Sequence, residues 1–219
     1  MQIELDGIEA KVQIKDPTDH IQRHWSVGSW YEPALLSFLR TRFKGWSFVD
    51  VGAHQGNHTL WAHLAMRSPR VVAIEPEPSN FAKLCINLAA NGFLHRTETH
   101  EAAAGRERGR CRMVQFEQDG VTNSGMYRAT PGDDVWVYPL SELVGDLSCK
   151  TVLKIDVEGM EQAVITGAGK LLVNKPALIV ETDNPGWIDQ YLLLFGPYER
   201  YTTAFNATPT YVWTCASQS

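Results

Sequence analysis

The spacing of apolar positions along this chain changes repeatedly, and the changes predict strands alternating with helices. Over the first thirty residues Ile3, Leu5, Ile8, Val12 and Ile14 alternate weakly, the pattern of a short β-hairpin or flap. Asp16-Pro17-Thr18-Asp19 reads as a turn or cap. A helix is predicted from Pro33, where proline is tolerated in a first turn; Leu36, Leu39 and Phe43 share one face and Gly45 ends it. The core strands and helices follow. Phe48–Val51 is a first strand, His58–Met66 a helix, and Val71–Ile74 a second strand. Pro78-Ser79 opens a helix with Phe81, Leu84, Cys85 and Leu88 at helical spacing, and Asn91-Gly92 closes it. Arg96–His100 is a third strand. Residues 105–135 are polar and glycine-rich, with short strands only at Arg112–Phe116 and Val135–Tyr138. Pro139–Leu143 is a short helix or turn, and Val152–Ile155 a fourth strand. Glu158–Val173 carries one apolar stripe, Met160, Ala163, Val164, Gly167, Ala168 and Leu171, and is the clearest helix. Ala177–Val180 is a fifth strand and Trp187–Phe195 a helix. Tyr198–Phe205 and Thr210–Cys215 form a terminal hairpin across Asn206–Pro209.

Strands alternating with helices predict an α/β, Rossmann-like fold: a mostly parallel seven-stranded sheet with right-handed crossovers and helices on both faces. The terminal hairpin places an antiparallel strand in it. Residues 1–30 are expected to form a hairpin or lid segment ahead of a single domain over 31–219.

Composition narrows the partners. With 44% hydrophobic and 21% charged residues, the 219-residue chain has material for a sizeable core. A net charge of −5 gives no basic footprint for nucleic acid, and the run Arg106–Arg112 is short and interrupted. Cys85, Cys111, Cys149 and Cys215 are scattered, with no C-x-x-C pair, as expected in a reducing cytoplasm. No stretch approaches the roughly 20 apolar residues of a membrane helix. The start, Met1–Asp6, lacks the basic and apolar regions of a signal peptide. A cytoplasmic protein that binds neither nucleic acid nor membrane is expected; oligomeric state stays open.

The chemistry concentrates in Phe48–Thr59. An apolar strand runs through Asp50 into a turn with Gly52 and Gly56, then a helix; the next strand ends on Glu75. Gly52 and Gly56 make G-x-x-x-G, not the G-x-G-x-x-G of a dinucleotide site, and no Gly-Lys-Ser/Thr marks a phosphate loop. A cofactor with a ribose but no pyrophosphate fits better. S-adenosylmethionine is the common one: backbone amides and a polar group of the first turn would meet its methionine arm, and Glu75 its ribose diol. The plainer alternative is a βαβ unit with an incidental acid.

Three blocks make the resemblance specific: Val49–Gly56; Ile74–Phe81, followed by Asn87 and Asn91-Gly92; and Leu153–Glu161, followed by Gly167 and Pro176–Glu181. Tyr31-Glu32 and Asn123-Ser124-Gly125 add weaker matches. Over about residues 28–183 the chain resembles the FkbM-type class I S-adenosylmethionine-dependent methyltransferases. His54 and Gln55 depart from the family's usual pattern, where an Asn and an apolar residue are commoner. The resemblance implies Asp50 and Gly52 beside the methionine part, with Ala53, His54, Gly56 and Asn57 in the same turn. It implies Glu75 and Pro76 at the ribose and Glu101 and Ala102 near the adenine. S-adenosylhomocysteine would be the product.

Asp156, at the end of the fourth strand, and Glu158 are the catalytic candidates. Two acids would stabilise a sulfonium; Glu158 would serve as base or orient the acceptor, or else is a plain helix-start acid. Lys154, inside the strand, reads first as a structural partner of a carboxylate. Asp156, Asp183 and Asn184 form a candidate Mg²⁺ ligand set, with turn chemistry the favoured reading of Asp183-Asn184. No zinc site is expected from the histidines. His20 and His24, with Trp25, Trp30 and Tyr31, lie on the segment expected to cover the site. The expected reaction is O-methylation of a sugar or specialised metabolite. Rival readings are a Mg²⁺-dependent catechol- or diol-type O-methyltransferase, a nucleic-acid methyltransferase and a non-catalytic binding subunit. The nucleic-acid reading lacks the usual Asn/Asp-Pro-Pro-aromatic loop after the fourth strand, which here reads Asp156-Val157-Glu158-Gly159.

Overall fold

The structure, a computed structural model, describes residues 1–116, 127–202 and 209–215. Asn123-Ser124-Gly125 and residues 203–208 of the predicted hairpin lie outside them. The chain opens with β1 (Gln2–Leu5) and β2 (Ile8–Lys11), an antiparallel pair, then α1 (His20–Ser26) and α2 (Pro33–Arg42). A βαβ run follows: β3 (Ser47–Val51), α3 (Asn57–Leu64), β4 (Val71–Ile74), α4 (Pro78–Ala90) and β5 (Thr97–His100). Next come β6 (Ala103–Gly105), β7 (Gly109–Gln115), β8 (Tyr127–Pro131), β9 (Val135–Pro139) and α5 (Leu140–Val144). The last third holds β10 (Thr151–Ile155), α6 (Glu161–Gly167), α7 (Gly169–Leu172), β11 (Ala177–Glu181), α8 (Pro185–Leu192), β12 (Glu199–Thr202) and β13 (Thr210–Thr214).

Seven strands form the central sheet in the order β12-β13-β11-β10-β3-β4-β5. β10, β11, β3, β4 and β5 pair in parallel, and β13 runs against both of its neighbours. Parallel strands covered on both faces must be apolar throughout, and β4 and β10 are buried at every position. The pleat sorts their side chains between two cores. Phe48, Val71, Ala73 and Val152 join one cluster; Val49, Val51, Val72, Ile74, Leu153 and Ile155 join the other.

Residues 1–30 are more than a hairpin. The helix α1 was not expected there, because its apolar positions number only Ile21 and Trp25 in seven residues. Its cap was visible: the Asp19 side chain accepts hydrogen bonds from the N–H groups of Ile21 and Gln22. Ile3, Val12, Ile21, Trp25 and Trp30 share a core with Leu36, Leu60 and Trp61, so the segment is packed as part of the main body.

Two further predictions need correction. The polar stretch 105–135 was assigned two short strands, yet β6, β7, β8 and β9 build a second, four-stranded sheet in the order β6-β9-β7-β8. Its β8 is nowhere fully buried, so no apolar alternation marks it. The helix predicted over Glu158–Val173 starts later, at Glu161, because Glu158 and Gly159 adopt positive φ of 38° and 92°. It then divides at Ala168 into α6 and α7. Among the described residues no helix is long and apolar enough to cross a membrane.

Candidate active site

The carboxyl ends of β3, β4, β10 and β11 open into one cleft with about 1010 Å³ of empty space, its open mouth included. Parallel sheets present ligand groups at this edge because the loops there diverge at the switch in strand order. The turn after β3 supplies Gly52, Ala53 and His54, and the first turn of α3 supplies Asn57 and His58. Glu75 and Pro76 follow β4; Lys154, Asp156 and Glu158 come from the end of β10, and Glu181 from β11. The N-terminal segment adds His20 and Tyr31, and the second sheet closes a wall with Ala103, Met113 and Tyr127.

Glu75 is buried at the tip of β4. Its Oε2 accepts the His54 N–H at 2.8 Å and its Oε1 accepts the Glu77 N–H at 3.0 Å. Burial pushes its carboxyl up to about 7, against those two N–H groups, which lower it. The glycine turn is internally closed. The N–H groups of Gly52 and Ala53 both donate to the Ile74 carbonyl, and that of Gly56 donates to Ala53. Two of these amides tie the turn to β4 and the third closes the turn itself. Gly52 has φ +81° and lies so close to the Asp156 carbonyl oxygen that no Cβ fits.

Other expected residues sit beside the cleft and not in its wall. Asp50 is fully buried on the Phe48 side of the pleat, where the Thr59 hydroxyl donates to it at 2.6 Å and Lys154 Nζ lies 3.5 Å away. Gly56 packs against Leu84 of α4. Glu101 and Ala102 border a separate shallow depression with Arg108 and Trp136. Ala103 and Ala104, next in the chain, line the cleft itself. Asn57 does line it, but its side chain is committed to the N-terminal segment. Its Oδ1 accepts from Trp25 Nε1 and the Tyr31 N–H, and its Nδ2 donates to the Tyr31 carbonyl.

A charged network underlies the cleft. Lys154 Nζ lies 3.2 Å from Asp156 and 3.5 Å from Asp50. Burial alone would discharge this ammonium, but Asp156, Asp50 and Glu32 hold it protonated. Burial would likewise raise Asp156, but Lys154, with His58 and His20, together outweigh it and keep the carboxyl below its ordinary range. Glu32 and His58 are in contact at 2.8 Å, both buried. These two and Lys154 were not among the residues the sequence marked out for the site. Glu158 is pushed up to about 7, by burial first and then by Asp156 and Glu161. Its left-handed backbone is uncommon for a residue with a side chain, as is that of Glu32 and His54.

A second, more open groove adjoins the cleft. Asp156, Glu158 and Glu181 line both. Arg106, Arg128, Asp183, Asn184 and Trp187 complete much of its wall. Asn184 Oδ1 accepts the Trp187 N–H and so caps α8. No three His, Cys, Asp or Glu side chains converge as a metal site among the described residues. Of the expected covering aromatics, Tyr31 faces the cleft, packed edge-on to His20 and His24, whereas Trp25 and Trp30 are buried.

The sheet order, its single reversed strand and the cleft at the parallel strands' carboxyl ends define a class I methyltransferase fold, Rossmann-like with helices on both faces. The chain belongs to the FkbM methyltransferase family, whose domain matches residues 50–201. Its structure is similar to that of methyltransferase FkbM from Methylobacillus flagellatus KT, with a TM-score of 0.57 and 18% identity. That match covers 78% of this chain and 44% of the other, so this chain spans less than half of that protein. It is also similar to a methyltransferase from Geobacter sulfurreducens, with a TM-score of 0.52, 17% identity, and 84% and 78% of the two chains covered. Both likenesses are of fold. No curated protein matches the sequence. The matched family is one of methyltransferase domains, and such a domain implies S-adenosylmethionine as methyl donor.

Proposed function

We propose that this chain transfers a methyl group from S-adenosylmethionine to a hydroxyl of a sugar or specialised metabolite. One observation carries the reading: the three carboxylates shared between the cleft and the adjoining, more open groove. A donor in the cleft and an acceptor in the groove would meet at that shared edge. The residues present fit the donor. Each Glu75 oxygen accepts one backbone N–H, which leaves each a lone pair for one hydroxyl of a ribose diol. Pro76 and the turn from Gly52 to His54 would bound the same ligand, over a floor made by Lys154 and Asp156, with Asp50 behind Lys154.

S-adenosylmethionine supplies a methyl group on a sulfonium, displaced in line as the sulfur keeps the bonding electron pair. Asp156, kept ionised by Lys154, offers negative charge at the shared edge. Glu158 orients the acceptor hydroxyl and takes its proton; a carboxyl near 7 is matched to that task at neutral pH. Positioning and exclusion of water supply much of the remaining rate. Trp187 and the carboxylates of the groove suit a polyhydroxylated acceptor, and the acidic wall suits nucleic acid poorly. Asn184 Oδ1 is already a helix cap, so the reading uses carboxylates without Mg²⁺.

The test incubates the protein with S-adenosylmethionine and pools of monosaccharides, glycosides and hydroxylated metabolites, with mass detection. The expected product gains one CH₂ on oxygen. Methylation of nucleic acid alone would overturn the acceptor class.

A further inference from the structure

Tyr31 is fixed from several sides at once. Asn57 clasps its backbone: Oδ1 accepts the Tyr31 N–H at 3.2 Å and Nδ2 donates to the Tyr31 carbonyl at 3.0 Å. Its ring packs edge-on against His20 and His24, with each pair of centroids 5.4 Å apart. The next residue, Glu32, has a left-handed backbone, φ 56° and ψ 52°, uncommon where there is a side chain. Glu32 stands at the cap position of α2, yet its carboxylate makes no cap hydrogen bond and meets His58 at 2.8 Å instead. Such strain persists only where the surroundings hold it, and it concentrates at ligand sites. Neither the ribose contact nor the proton transfer described above uses this tyrosine.

We propose that the Tyr31 hydroxyl is a catalytic group at the methyl end of the cleft, its oxygen accepting the polarised C–H groups of the donor's transferable methyl, with Glu32 and His58 as positioning residues behind it. This rests on the donor reading above. Tyr31 lines the cleft together with Asp156, Glu158 and Glu181, the acids of the edge shared with the groove. Glu32 borders a small pocket of about 180 Å³ with Asp156 and Glu181, so both members of the Tyr31-Glu32 pair stand beside that edge. Burial, then the charges of Glu32, Asp156 and Glu181, keep the hydroxyl protonated, and Glu32 takes a hydrogen bond from it. With its hydrogen turned to Glu32, the phenol oxygen keeps acceptor capacity for a ligand.

A sulfonium draws electron density from its methyl group, which makes each C–H a better donor. An ordinary C–H···O contact is weak, and charge on the donor strengthens it. The methyl stays electron-poor while it passes to the acceptor oxygen. A fixed oxygen beside its path therefore lowers the barrier without having to reorganise. Held protonated, the phenol is a poor nucleophile and does not take the methyl itself.

Nuclear magnetic resonance on the full chain tests this, using S-adenosylmethionine with an isotope-labelled methyl group. In the native complex the methyl proton signal should lie downfield of its position in the Tyr31→Phe complex. Phenylalanine keeps the ring and its packing and removes only the hydroxyl. In calorimetry Tyr31→Phe should weaken S-adenosylmethionine by about two- to fivefold and leave S-adenosylhomocysteine, which lacks that methyl, unchanged. A purely structural tyrosine would weaken both ligands alike. Glu32→Gln leaves the phenol an uncharged partner and should move the methyl signal upfield by less, a second route if Tyr31→Phe folds poorly. One methyl position shared by the native protein and both variants overturns the proposal, as does equal weakening of the two ligands in Tyr31→Phe. Failure of the native protein to bind either ligand overturns the donor site itself, a result distinct from a native complex whose methyl signal does not depend on Tyr31.

Discussion

Glu75 is held between opposing demands. Burial favours its neutral form, while the N–H groups of Glu77 and His54 and a bound diol favour the carboxylate. Its folded value is raised from 4.5 to about 7, so the folded chain binds the proton more tightly than the unfolded one. That stability is fully present below about 4.5 and is lost as pH rises through about 7. Glu75→Gln should therefore melt above the native protein at pH 8 by about 1–2 kcal/mol and match it near pH 4. Thermal unfolding at both pH values, without ligand, checks the sign. Gly52→Ala should unfold readily, because a Cβ there meets the Asp156 carbonyl and the backbone is left-handed; a loss of about 3 kcal/mol or more is expected in denaturant titration. Glu75 and Gly52 were legible because a strand end and a tight turn fix such residues locally. Glu101 and Ala102 stand just ahead of β6 and border a neighbouring depression, because Ala102-Ala103-Ala104 carries no periodicity and β6, which sets the register, begins only at Ala103. Glu32 and His58 escaped notice because their contact joins α2's cap to α3 across 26 residues.

At the scale of elements, the N-terminal segment is fastened to the glycine turn through Asn57. One side chain accepts from Trp25 and Tyr31 and donates back to Tyr31. Asn57→Ala should cost about 2–3 kcal/mol, since it strands buried donors and an acceptor. Hydrogen exchange over residues 20–31 should rise with it; unchanged protection there would show that packing alone holds the segment. The central strands were readable from their apolar runs, and β4 matches its expected limits. The second sheet was readable only in part: strands were expected near β7 and β9, whereas β6 is three residues long and β8 is nowhere fully buried. Yet Met113 and Tyr127 from that sheet make a wall of the cleft, so part of the site was hidden along with it.

Across the whole molecule, the sheet edge brings together groups drawn from the N-terminal segment, four strand ends and the second sheet. That convergence turns a modest glycine motif into one wall of a cleft. The pairing of cleft and groove predicts a pH profile. With Glu158 as base, kcat/KM should rise with pH through about 7, as its carboxyl ionises, and Glu158→Gln should lower the rate and flatten that limb. A native profile flat from pH 6 to 8 would remove Glu158 from the proton's path. The donor site is the central claim, and calorimetric titration with S-adenosylhomocysteine tests it most directly, on the native protein and on Glu75→Ala. Saturable one-to-one binding by the native chain, weakened tenfold or more in the variant, is the predicted result. No binding by the native protein would contradict it.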